Sequence, residues 1–164
     1  MGRVVFDPSA PPAPKPSSRA KREPIAGLIK EWKILGPFPD KTSDTLDAFA
    51  PAFAKNAKWV PIEKGFEPDR IDVQATIGEH DDSSAFVRTT VTSPKDQAVT
   101  MILNADDLVR AVLNGELVEG RRVNLRKGEN DLVLKVIDHK KGWRFTCAFT
   151  QGGKPVKGLS YEAK

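Results

Sequence analysis

What most constrains this chain is its punctuation. Between Ser84 and Thr150 short apolar runs follow one another, each closed by residues that favour turns. SAFVRTTVT (84–92) alternates, with Phe86, Arg88 and Thr90 on one face and Val87, Thr89 and Val91 on the other. Period-two alternation marks a strand that buries one face. The turn SPKD leads into QAVTMIL (97–103). Leu108–Leu113 meets Asn114-Gly115 and continues as Glu116–Val118. Asn-Gly between two such runs predicts a two-residue hairpin, because both central positions of a type I′ turn need positive φ. Arg121–Leu125, the turn RKGEN, Asp131–Ile137, the turn DHKKG and Trp143–Thr150 complete the series.

The segment before Ser84 follows the same pattern less densely. EWKILG (31–36) reads as a strand ended by the rigid turn GPFPD. KWVPI (58–62) contains Pro61, which cannot donate to a ladder, so it is an edge strand or a strand end. Only Leu46–Ala54 looks helical, and Pro51 limits it to a turn or two. There is neither βαβ alternation nor an internal repeat. The expectation is an all-β fold, an antiparallel sandwich or barrel. At 164 residues the chain suits one domain and is long enough to bury a core without staples.

Residues 1–24 are of another kind. They hold six of the 13 prolines, spaced by Ala, Ser and basic residues. Proline lacks the amide that helices and ladders need, so the segment is expected to stay extended. The chain thus divides into a Pro-rich basic arm, 1–24, and a domain, 25–164. The arm reads either as a linker or as a docking arm that a partner binds in extended form.

Charge and composition narrow the function. Of the net +4, the arm carries +3, five basic residues against two acidic, which leaves the domain close to neutral. Nucleic-acid binding is therefore not expected: the basic charge does not lie on the domain, and in the arm prolines dilute it. No apolar run reaches the roughly 18 residues of a membrane span. The opening MGRVVFDPSAPPAPKP lacks a signal peptide's apolar stretch of roughly 7–15 residues, and the compartment stays open. The single cysteine, Cys147, lies in the alternating WRFTCAFT, so a buried thiol is expected, and neither an internal disulfide nor a cysteine metal site can form. His80 and His139 lie far apart, in the expected turns HDDSS and DHKKG. Ser83 and Ser84 are near His80 without a nucleophile elbow, and no P-loop or dinucleotide fingerprint occurs. The chain is not expected to be an enzyme.

One ordered set of segments resembles a known family. EWKILGPFPD, SAFVRTTVTSPKDQAVTMILNADD, AVLNGELV and VNLRKGENDLVLKVIDHKKGWRFTCAFTQGGKP follow in that order. Together they look like the jelly-roll accessory domains of the galactose-binding-domain-like group, across roughly residues 30–158. That resemblance implies a jelly-roll β-sandwich of two antiparallel sheets with the Pro-rich arm in front. It also implies a bacterial, secreted or periplasmic setting and a non-catalytic binding module of carbohydrate-binding type. In the similar protective-antigen-type sandwiches an Asp-Asp pair at this place can hold calcium and orient a sugar. Asn104, Asp106 and Asp107 would then supply calcium ligands, and Asp106, Asp107, Asn114 and Trp143 would touch the glycan. The glycine expected after the pair is Leu108 here, which leaves open that the two carboxylates simply cap a turn and face solvent. Asp81-Asp82 reads as a solvated turn or a rim of the same site. Trp32, Trp59 and Trp143 are expected as core or sheet-end packing, since an indole buries much apolar area and needs only one partner.

Two functions remain in play. One is a glycan-binding module with a loop-edge site near Asp106 and Asp107. The other is an accessory subunit that docks on a larger protein assembly through the sandwich and its arm. A sugar site predicts a tryptophan exposed beside polar side chains; a docking subunit predicts a buried tail and an apolar surface patch.

Overall fold

A computed structural model describes residues 23–39, 45–140 and 142–164. The arm expected over residues 1–24 lies outside them but for its last two positions.

The strands form two antiparallel sheets packed as a β-sandwich. One sheet has the order β2 (Val60–Pro61), β1 (Lys33–Pro39), β4 (Ser83–Ser93), β9 (Gly128–Asp138), β6 (Leu108–Leu113), β7 (Glu116–Leu117). β12 (Ser160–Glu162) pairs with β4 beyond the end of β1. The other sheet has the order β11 (Lys154–Pro155), β10 (Arg144–Gln151), β5 (Gln97–Ala105), β8 (Arg122–Leu125), and β3 (Ile71–Asp72) also pairs with β10. The long strands β4, β5, β6, β8, β9 and β10 alternate between sheets, as the chain does in a jelly roll. Each crossing lets a strand lay its apolar face on the opposite sheet.

The alternation in the sequence decides what is buried. On β4, Ala85, Val87 and Val91 face the inter-sheet core, and on β9 Leu132, Leu134 and Val136 do so. β5 contributes Val99 and Met101, and β10 contributes Phe145, Cys147 and Phe149. Trp32 closes this core, 1% exposed and edge-on to Phe145 at 5.3 Å. Its indole N–H donates to the Ile29 carbonyl at 2.8 Å. Full burial of each such apolar side chain stabilises by roughly 1.5–3 kcal/mol.

A second, smaller cluster lies on the outer face of the first sheet. Phe86, Val112 and Val133 point outward there and are covered by Phe49 and Ala52 of a 3-10 helix, Leu46–Phe53. Pro51 sits inside that helix and confines it to its short length. β1 does not end at Gly36 as the sequence reading had it. The register shifts between Leu35 and Phe38, and the strand resumes to Pro39, with Phe38 packed on Phe86. The bulge is what lets Gly36-Pro37, a cis peptide, sit within a paired strand. The Asn114-Gly115 turn has φ of 51° and 82°, as a type I′ hairpin requires. Val60–Pro61 is the edge strand that Pro61 called for. β3, β11, β12 and the single-turn α1 (Gln74–Ile77) were not anticipated; at two to four residues each they are too short for periodicity to reveal.

Candidate binding site at one end of the sandwich

The candidate residues do not form one group. Asp106 and Asp107 make the turn between β5 and β6, whereas Asn114 follows β6. The six residues of β6, at roughly 3.3 Å each, separate them. Asn114 belongs to the opposite end and is committed to structure: its Oδ1 accepts from the Asp131 amide at 2.8 Å and its Nδ2 donates to Asn130 Oδ1 at 2.9 Å. Trp143 is at the right end but is 1% exposed, with its indole N–H donating to the Val136 carbonyl at 3.1 Å. It is core, as Trp32 is. Both Asn114 and Trp143 therefore drop out of the site.

Asn104 and Asp106 do converge. They line a cavity of about 200 Å³ together with Arg70, Arg144 and Thr146. β5 and β10 place Asn104 directly across from Thr146, on the outward face of the second sheet. Arg144 opens β10, and the 65–70 segment brings Arg70 alongside, anchored where Thr146 Oγ1 donates to the Asp69 carbonyl at 2.6 Å. Two guanidinium groups and two carboxylates interleave here. Asp106 meets Arg70 Nη1 at 3.3 Å and Arg144 Nη1 at 3.6 Å, and Glu67 Oε2 meets Arg70 Nε at 2.9 Å and Arg144 Nε at 3.4 Å. Gly142 makes room for the crossing. It has φ of 90°, and a Cβ there would lie 2.7 Å from Arg144 Nη1 and 2.9 Å from Asp106 Oδ2.

Asp107 faces another way. Its Oδ2 accepts from the His139 amide at 2.8 Å, so it caps the turn after β9. Beside it Asp138 is 0% exposed, and neither of its oxygens meets an N–H or hydroxyl donor. Burial, then the Asp107 carboxyl within hydrogen-bond reach, then the charges of Asp107, Asp81 and Asp106 push the Asp138 carboxyl up to about 6. Asp82 and His139 Nδ1 lie 3.6 Å apart in exposed positions, and His80 Nε2 lies 2.9 Å from the Ile77 carbonyl.

The implied calcium set does not fit. Asp106 is neutralised by two arginines whose positive charge opposes a cation, and Asp107 is turned to a backbone amide. Among the described residues no group of three or more His, Cys, Asp or Glu side chains is arranged to hold a metal ion. No helix among them is long and apolar enough to cross a membrane.

A second surface lies on the far side of the first sheet. Leu46 and Phe53 are 45% and 42% exposed and flank an apolar hollow of about 440 Å³ with Ala50 and Gly115. Arg88 supports the segment from below. It pairs with both oxygens of Asp131 at 2.7 Å, donates to the Ala52 carbonyl at 3.2 Å and lies over the Phe53 and Trp59 rings at 5.4 and 5.8 Å. Trp59 is half-buried under Arg88 and Lys33.

Sequence reasoning missed Arg70, Arg144, Glu67 and Thr146, which come from segments distant in the chain. Asp138 carried a legible signal. Leu132, Leu134 and Val136 fix the inward parity of β9, and 138 is the next position of that parity. No family model and no curated protein matches this chain.

Proposed function

We propose that the chain is a non-catalytic binding module of carbohydrate-binding type, with its site in the pocket lined by Asn104, Asp106, Arg70, Arg144 and Thr146. The observation that carries this reading is their convergence in one concave site, with Asn104, Arg144 and Thr146 on paired strands and Arg70 and Asp106 on the adjoining segments. Amide, carboxylate, guanidinium and hydroxyl groups together offer the donors and acceptors that sugar hydroxyls need. The jelly-roll resemblance supports the same class. With Trp32 and Trp143 in the core, affinity rests on these polar groups and not on tryptophan stacking. A glycan array probed with the full chain, with calcium and with chelator, tests the reading. Saturable binding that chelator leaves unchanged is the expected result, since the acidic residues are committed to arginines and an amide. Silence across the array from folded protein would sink it.

The exposed Leu46 and Phe53 favour a second reading, an accessory subunit that docks on a larger protein assembly through this apolar face. Phe53→Glu, which places a charge in the middle of that face, would abolish such docking without touching the polar pocket.

A further inference from the structure

We propose that Asp107 and Asp138 form a proton-operated latch that fastens the turn between β5 and β6 to the end of β9 and loosens as pH rises. The geometry is unusual in what it lacks. Asp138 is fully buried at the last position of β9, where its backbone pairs with Ser83 across the first sheet. Neither of its oxygens finds a donor other than the neighbouring carboxyl group. A buried carboxylate in that position would be uncompensated, so the site favours the protonated form of Asp138. With the proton in place, Asp107 stays close to β9 and accepts from the His139 amide at 2.8 Å.

Among the described residues no cation pairs with either carboxyl group. Asp107 meets Asp138 from the β5–β6 turn, and the charges of Asp106 in the same turn and of Asp81 in the turn before β4 also act on it. Of the described positive groups nearby, Arg70 and Arg144 hold Asp106 and Glu67, and His139 Nδ1 lies toward Asp82. Losing the proton therefore sets two carboxylates against each other. The part that can give is the exposed turn carrying Asp106 and Asp107, not the paired strand. Asp106 is also a wall of the polar cavity, so release loosens one rim of it. The latch itself stands on the buried pair and is independent of what the cavity binds.

The sign follows from linkage. The carboxyl of Asp138 is held above its ordinary value of 3.8, at about 6. The stability it contributes is complete below its ordinary value and is lost as pH rises through about 6. Asp138→Asn keeps the shape, is neutral at every pH and can donate to Asp107. Thermal unfolding of the wild-type chain and of this variant, compared from pH 4 to 7.5, isolates the group. The expected difference in Tm is near zero at pH 4 and grows to roughly 5 °C in the variant's favour by pH 7.5. Asp107→Asn, which keeps an oxygen for the His139 amide, should behave the same way. In the wild-type chain, hydrogen exchange at the His139 amide, corrected for its intrinsic pH dependence, should lose protection with a midpoint near pH 6. A Tm difference that does not change with pH, or His139 protection that stays constant across the range, would overturn the latch.

Discussion

Asn130 shows how much a single polar residue can hold. It is 1% exposed, and its amide nitrogen lies within hydrogen-bond distance of the carbonyls of Val91, Arg126 and Gly128. Its Oδ1 accepts from the Arg126 amide at 3.0 Å and from Asn114 Nδ2 at 2.9 Å. It thereby ties the β8–β9 turn to the β6–β7 hairpin and to β4. Asn130→Ala leaves several of these groups buried and unpaired, and should lower the unfolding free energy by about 3 kcal/mol, read from a shifted denaturant midpoint. The sequence reading placed Asn130 in the turn RKGEN. Gly128 there has a positive φ, 94°, whereas Asn130 is a strand residue acting through its side chain. Turn position was legible from the letters GEN; the partners Val91 and Asn114 were not, because they come from two other elements. The same holds at the pocket. Asn104 and Asp106 stand two apart in sequence, but Arg70 and Arg144 reach them only through the pairing of β3 with β10 and β10 with β5.

At the scale of elements, periodicity served well where strands were long. The two faces of β4 divide as the alternation predicts, with Val87 and Val91 inside and Phe86 outside. It failed where one element covers another. Phe86 on the outward face demanded an explanation, and the 3-10 helix Leu46–Phe53 supplies it by laying Phe49 5.6 Å from the Phe86 ring. That helix is too short to hold itself, so its position depends on this anchor. Phe49→Ala should cost about 3 kcal/mol or more and uncover Phe86, Val112 and Val133. Increased binding of a hydrophobic dye at unchanged strand content would report the loss of the cover. The hairpin end and the acidic end also separate cleanly at this scale. The family resemblance grouped Asn114 with Asp106 and Asp107; in space, the length of β6 lies between them.

For the whole molecule, the sandwich leaves one thiol in its middle. Cys147 is 0% exposed, and burial raises its thiol above the usual range. Alkylation of the native protein should therefore proceed only through unfolding, with a labelling rate that tracks global stability across denaturant concentrations. Faster labelling at low denaturant would mean that β10 opens locally. The two candidate surfaces lie at separate places, the polar pocket on the second sheet and the apolar hollow over the first. The most direct measurement of which one binds compares Asn104→Ala and Phe53→Glu with the wild-type chain on one glycan array. Asn104 is exposed on the outward face of β5, so its truncation should leave the fold intact. The account predicts that Asn104→Ala weakens the glycan signal by roughly tenfold, the loss of one or two hydrogen bonds, while Phe53→Glu leaves it unchanged. Glycan binding that survives Asn104→Ala and disappears with Phe53→Glu would contradict it.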